Sequence, residues 1–333
     1  MAARSGALLS VVVASLVGSD QVSKKSVASR LGQPSDEDGL LFYYGAGHAG
    51  GLVLLDEKAY PGKIQDVLEI VSLSDLVVYV LPRDGHLTWM DGELALLVDF
   101  MDIRAGRIVT TGNTEDARTL RSKVFKGLSM ESYNVYAADD PSIFSVQGAK
   151  KPRNPSGDGL QYISVDRAFN VKGVGLVVLG FVVSGNVHVH DQLKVLPQGK
   201  PAEVRSIQIM DVDVESAYEG SRVGLCLKGV SVDDFGSGIG LGNDAVTTSH
   251  RLYIDFKPSP YFRQGIHRPV DLHIRTSSGL NLGHVAPQPD GRLLVTYQKH
   301  VPLWDGQRAV LVDLGIKRGN SRVVGGGTVL RAD

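Results

Sequence analysis

The chain has 333 residues, 43% of them apolar and 21% charged, which gives length for two or three domains with full cores and excludes wholesale disorder. Its 39 glycines follow no G-X-Y period, which excludes collagen, and the single cysteine, Cys226, excludes an internal disulfide and a thiolate zinc cluster. Formal charge is −1, but residues 1–150 carry 14 Lys and Arg against 19 Asp and Glu, and residues 151–333 carry 21 against 17, so a polyanion is steered toward the C-terminal part.

The first 18 residues admit two readings. Arg4 followed by the apolar run Ala7–Leu16 has the form of a signal peptide. The same run reads as a buried parallel strand, Ala7–Ala14, closed by a Gly-Ser-Asp turn and followed by a helix containing Val22, Val27 and Leu31. The strand is preferred, because no pairs of cysteines accompany it, and no apolar run elsewhere reaches the roughly 20 residues that span a bilayer. Strands at Gly39–Tyr44 and Gly51–Leu55 then flank a glycine-rich tip, Gly45 to Gly50, that contains His48. A helix at Ile64–Ser72, a strand at Leu76–Leu81, a helix at Asp91–Phe100, a strand at Arg107–Thr110, a helix near Glu115–Gly127 and a strand near Asn134–Ala137 complete the series. Alternation of this kind predicts βαβ units and a mostly parallel sheet covered on both faces, over residues 1–150. Residues 151–159, with two prolines and two glycines, read as a linker.

From Leu160 the texture changes to short strands punctuated by glycine. Tyr162–Val165, Gly175–Gly180, Phe181–Ser184, Gln192–Leu196, Glu203–Ile209 and Arg222–Leu227 predict one small antiparallel barrel, over 160–246. A second run, Ser249–Arg331, ending in Gln307–Leu314 and Arg322–Leu330, predicts another over 247–333.

Residues Asp166-Arg-Ala-Phe-Asn-Val-Lys-Gly-Val-Gly-Leu-Val-Val-Leu-Gly180, then Ser184-Gly-Asn-Val and Asp191-Gln-Leu, resemble the opening of domain two in translational GTPases such as elongation factor Tu and SelB. Val204-Arg-Ser-Ile-Gln208 and Ala217 to Val230 continue the pattern in order, and Arg322-Val-Val-Gly-Gly-Gly-Thr-Val is similar to the last strand of domain three. Gly173 and Gly175 suit the tight hairpin, alternating Val177, Leu179 and Phe181 supply an inward face, and Gly220 turns into the strand at Arg222. The resemblance covers residues 160–333 and the first domain in outline, with archaeal-type SelB-like proteins nearest. It implies a multidomain α/β plus all-β protein: a P-loop-type G domain followed by two small antiparallel β-barrels.

That family's first domain binds GTP, and the residues its chemistry requires are eroded here. A phosphate-cradling loop needs Gly-x4-Gly-Lys-Ser/Thr. The matching stretch runs from Gly18 to Ser26, with Ser23 in place of the second glycine and either Lys24-Lys25 or Lys25-Ser26 as the final pair. Both lysines are expected to be solvated on a surface turn. Asp56 ends a strand, as the magnesium-binding aspartate of Asp-x-Pro-Gly-His would, and Pro61-Gly62 follow, but three extra residues intervene and Lys63 replaces the water-positioning histidine. After the strand Arg107–Thr110, Thr111-Gly-Asn-Thr-Glu115 lacks the lysine and aspartate of the guanine-reading Asn-Lys-x-Asp. Gly18, Ser23, Lys24, Lys25, Ser26, Asp56 and Gly62 are therefore expected to mark a site that no longer works, with no cofactor and no resident metal.

His188 and His190 alternate along a strand without a third ligand and read as surface histidines, as do His48 and His86 in loops; Cys226 reads as a buried, inert thiol. Arg263, Arg268 and Arg275 interleave with His267, Tyr261 and Phe262 in a pattern that suits RNA. The family's use of domain two for an aminoacyl end adds Arg205, Ser206 and Gln208. The expected protein is cytoplasmic and non-catalytic, its barrels binding tRNA, other RNA, the ribosome or other translation factors, with no membrane or DNA partner. The alternatives are a divergent but active GTP-binding elongation factor and a protein-only scaffold.

Overall fold

The computed structural model describes residues 11–37, 39–47, 50–146, 159–236, 239–317 and 319–331. The apolar run Val11–Val17 forms strand β1. It is followed by helix α1 (Gln21–Ala28), β2 (Ser35–Glu37), β3 (Leu40–Gly47), β4 (Gly50–Glu57), α2 (Ile64–Leu73), β5 (Leu76–Val80), α3 (Trp89–Phe100), β6 (Gly106–Thr110), α4 (Thr114–Val124) and β7 (Asn134–Ala137). These seven strands make one sheet in the order β2-β3-β4-β1-β5-β6-β7, parallel from β4 to β7 with β2 and β3 antiparallel at one edge. The central strands are continuous Val and Leu runs because both faces are covered. Val13, Val17, Val77 and Tyr79 face the core shared with α2 and α3, whereas Val12, Ala14, Leu16 and Val78 face the core shared with Val27 and Ala28 of α1.

The second unit contains β8 (Tyr162–Val171), β9 (Gly175–Ser184), β10 (Asn186–His188), β11 (Gln192–Leu196), β12 (Lys200–Ile209), β13 (Val212–Val214), β14 (Ser216–Tyr218), β15 (Arg222–Lys228) and β16 (Gly240–Gly242). Seven of them run β11-β16-β8-β9-β15-β12-β13, a β11–β12 pairing folds that sheet back on itself, and β10 and β14 pair separately. The expected break between Gly180 and Phe181 is absent. Gly180 lies inside β9 because a Cβ there would sit 2.4 Å from the Ser164 carbonyl oxygen of β8, so the glycine marks a close strand approach and not a turn. The three-residue strands β13, β14 and β16 have no counterpart in the sequence reading, being too short to show a period.

The third unit is a closed barrel, β17-β20-β19-β18-β21-β22, formed by β17 (Thr247–Pro258), β18 (Val270–Thr276), β19 (Gly279–Pro287), β20 (Leu293–Leu303), β21 (Arg308–Val312) and β22 (Val323–Arg331). Helix α2 packs against β18 and β19, and α3 against β21 and β22. Gly326 of β22 admits Phe100 so closely that a Cβ there would lie 2.6 Å from the Phe100 Cβ. One continuous apolar cluster crosses all three units, joining Leu68, Leu97, Val182, Trp304 and Val310. Of the expected linker 151–159, only Gly159 lies within the described residues.

Candidate functional site

The β1–α1 turn is where a phosphate-cradling loop would stand. Gly18 is required there by packing: a Cβ would lie 2.4 Å from the Val80 carbonyl oxygen of β5. The helix then starts early. Asp20 is its N-cap, with φ −91° and ψ 98°, and its Oδ1 accepts from the Val22 and Ser23 amides at 3.0 and 3.2 Å. Its Oδ2 accepts from Ser23 Oγ at 2.8 Å and from the Arg83 amide at 3.3 Å. A helix N-terminus attracts an anion through its free amides and its dipole. Here the anion is the chain's own carboxylate. Burial pushes the Asp20 carboxyl up, but the bonds from Ser23, Arg83 and Val22 outweigh it and hold the group below the usual aspartate range.

Lys24 does not reach outward. Its side chain is 1% exposed, and Nζ lies 2.7 Å from Asp56 Oδ1 and 2.6 Å from Glu57 Oε1 at the end of β4. Both carboxylates are further engaged: Glu57 Oε1 accepts from Gln21 Nε2 (3.3 Å), Glu57 Oε2 from the Tyr60 amide (2.6 Å), and Asp56 Oδ1 from the Glu57 amide (2.8 Å). Burial opposes the Lys24 charge, yet the two adjacent carboxylates outweigh it and keep the ammonium charged. The expectation that both lysines are solvated is thus corrected. Lys25 and Ser26 are exposed, while Lys24 and Ser23 face inward, because positions 23, 24, 27 and 28 form the buried side of α1. Gly62 is an exposed turn residue, and Lys63 is the N-cap position of α2 without a side-chain capping bond.

At the base-reading position, Asn113 caps α4. Its Oδ1 accepts from the Glu115 and Asp116 amides at 2.7 and 3.2 Å, so its acceptor is engaged by the helix's own backbone. Taken together, these residues do not fit a magnesium nucleotide: the helix N-terminus holds a carboxylate, the lysine is neutralised inside the fold, and the amide is a cap.

Sequence reasoning missed two buried acids on α3, Asp91 and Glu93. Buried Asp91 accepts from Ser19 Oγ (2.7 Å) and Tyr79 OH (3.0 Å), and its Oδ2 accepts from the Thr88 amide (2.8 Å). Glu93, fully buried, accepts from Tyr60 OH (3.1 Å) and is clasped by Arg322 of the third unit: backbone N to Oε1 at 2.5 Å, Nε to Oε1 at 3.2 Å and Nη2 to Oε2 at 2.6 Å. Arg322 Nη1 also donates to the Pro61 carbonyl at 2.9 Å. Two acids in a helix otherwise rich in leucine were the available signal.

Between the first two units lies a cavity of about 660 Å³ lined by Tyr44, Phe169, Leu179, Ser206, Gln208 and Met210, among others. The structure brings Ser206 and Gln208 there and leaves Arg205 outside its lining, exposed on β12. At its edge Arg222 bridges Glu37 and Asp166, both at 2.7 Å, and lies 4.2 Å from the centroid of the Phe42 ring. Cys226 is buried, its Sγ 3.5 Å from the Val174 carbonyl oxygen.

Of the proposed RNA-contacting cations, Arg263 and Arg268 are exposed. Arg275 is a correction: it is 6% exposed, and its Nε donates to Ser72 Oγ at 3.0 Å. Its end of β18 is where α2 covers the barrel, so it joins two units instead of facing a ligand. His188 and His190 do not share a strand face, since β10 ends at His188 and His190 follows at φ 75°; they lie 3.7 and 3.9 Å from Asp191 and Glu203 respectively. His86 is exposed, and His48 lies outside the described residues.

Residues 175–239 match the family model described as elongation factor Tu domain 2. An uncharacterized protein of Methanocaldococcus jannaschii is 27% identical over 291 residues, which is 87% of this chain and 92% of that protein. The selenocysteine-specific elongation factor of Escherichia coli is 29% identical over 163 residues, 46% of this chain and a quarter (25%) of that protein. Among solved structures, translation elongation factor SelB from Methanococcus maripaludis in complex with the GTP analogue GppNHp superposes with a TM-score of 0.80 at 20% identity, covering 96% of this chain and 78% of that one.

Proposed function

We propose that the chain is a non-catalytic member of the SelB-like family of translation elongation factors, one that has kept the family's architecture and neither binds nor hydrolyses GTP. The observation that carries this reading is the pair of internal substitutes at the β1–α1 turn: the Asp20 carboxylate on the helix N-terminus, and Lys24 held by Asp56 and Glu57. A phosphate at that turn would have to displace one carboxylate and draw Lys24 away from two others, at the cost of leaving buried charge unpaired. Residues 1–150, 160–246 and 247–333 are then a G-like scaffold and two binding barrels.

In this reading the barrels engage tRNA, another RNA, the ribosome or a translation factor in the cytoplasm. The charge distribution supports it: four more basic than acidic residues after position 150 against a deficit of five before it. Ser206 and Gln208, at the cavity between the first two units, are the candidates for holding the end of such an RNA. No helix among the described residues is long and apolar enough to cross a membrane. The test is co-sedimentation of the full chain with ribosomes and retention of labelled tRNA, at low and high salt, beside a single-turnover GTPase assay. Salt-sensitive retention without hydrolysis is expected; hydrolysis above the protein-free rate contradicts the non-catalytic role.

A further inference from the structure

We infer that the loop joining β17 to β18, residues 259–269, is a docking platform for unpaired RNA bases, which rests on the RNA reading above and gives it a place. Tyr261, at the outer end of the loop's first turn, is 67% exposed. Arg263, His267 and Arg268 are exposed as well, and among the described residues their side chains form no ion pair or hydrogen bond. No acidic residue occurs from Phe256 to Val270, and Asp271, the next one, is engaged by His284 Nδ1 at 2.8 Å. The loop itself therefore carries only basic charge.

The loop is held in place. Phe262 and Ile266 pack on the core of the third barrel, so the chain is pinned on either side of the Arg263-Gln264-Gly265 tip. Buried Ser259 donates its amide to the Val324 carbonyl at 2.9 Å, and its Oγ and carbonyl oxygen accept from the Tyr261 and Phe262 amides at 3.3 and 3.0 Å. Gly265, at φ +63°, turns the chain back, and His267 lies against it: a Cβ there would be 2.7 Å from His267 Nε2. Because the platform is already ordered, binding loses little conformational entropy.

An exposed ring can exchange water for the face of a nucleobase, and the neighbouring guanidinium groups can take the phosphates on either side. That chemistry favours an unpaired base over a duplex, whose bases are already stacked. It favours RNA over an acidic peptide, which would use the cations and leave the ring idle.

The test is fluorescence anisotropy of the full chain with a labelled eight-nucleotide single-stranded RNA, with the same RNA annealed into a duplex, and with a poly-glutamate peptide, across a salt series. The single strand should bind tightest. Tyr261→Ala should weaken it about tenfold and leave duplex binding unchanged, while Tyr261→Phe stays within about twofold, since stacking and not the hydroxyl is at work. Arg263→Ala with Arg268→Ala should reduce the slope of log affinity against log salt by about 1.4, two phosphates' worth on a single strand. Thermal unfolding of each variant checks that the fold is intact. If the full chain binds RNA and these variants bind as the parent does, the platform is refuted and the RNA reading stands. If the full chain binds no RNA at low salt, both fall, and tighter binding of poly-glutamate would replace the RNA by an acidic protein segment.

Discussion

The Nζ of Lys24 sits 2.7 Å from Asp56 Oδ1 with its side chain 1% exposed, so the cation that a nucleotide-binding loop would offer to phosphate closes an ion pair inside the fold. The same ammonium meets Glu57 at 2.6 Å. A lysine that serves a ligand can be removed at little cost to folding; a lysine that balances two buried carboxylates cannot. Lys24→Ala should therefore destabilise the protein by about 3–5 kcal/mol in urea unfolding. A variant that also carries Asp56→Asn and Glu57→Gln should recover much of that loss, because no charge is then left unpaired. A cost below about 1 kcal/mol for the single change would show that Lys24 is free to serve a ligand.

Acid stability follows from Asp20 and Asp102. Burial raises both carboxyls, but hydrogen bonds to Asp20, and the Arg104 and Arg308 guanidiniums beside Asp102, hold each below its ordinary value of 3.8. A lowered folded value means that the unfolded chain binds protons first. The stabilisation is present in full above the unfolded value and is lost as pH falls through the folded one, below 3.8. Thermal midpoints measured from pH 5 down to about pH 2.5 should fall less steeply for Asp20→Asn, which keeps a capping oxygen and cannot titrate. An unchanged acid limb would count against the role assigned to Asp20.

The contact between Arg322 and Glu93 fixes the first unit on the third barrel. Glu93 is fully buried, so Arg322→Ala should cost about 3–5 kcal/mol and loosen that seam, visible as a larger radius of gyration in solution scattering. The parent chain should give one scattering profile with and without GTP, since a ligand moves an equilibrium only through differential affinity for its two ends. Profiles that diverge on adding GTP would show that a switch survives.

How much of this was readable from residues alone depends on range. The barrels were legible because their signals are local: Gly173, Gly175 and Gly220 do adopt positive φ. The alternation of β1, β5 and β6 with helices was legible for the same reason. Lys24 was misread because its partners lie more than thirty residues away at the end of β4, and only β1–β4 pairing brings them together. Arg275 was misread because strand alternation tells which side a residue takes but not that α2 covers that side. Asp20, by contrast, stood in view two residues beyond Gly18: an aspartate before a helix is a capping signal, and its meaning here came only from where the cap sits.

The most direct measurement is a titration of the full chain with fluorescent GTP and GDP analogues, with and without magnesium and against an ATP competitor. Asp20 on the α1 N-terminus, Lys24 between Asp56 and Glu57, and Asn113 committed as a cap predict no saturable, magnesium-dependent binding in the micromolar range. Micromolar or tighter affinity for GTP, dependent on magnesium and not displaced by ATP, would contradict that account and make the protein a divergent GTP-binding factor.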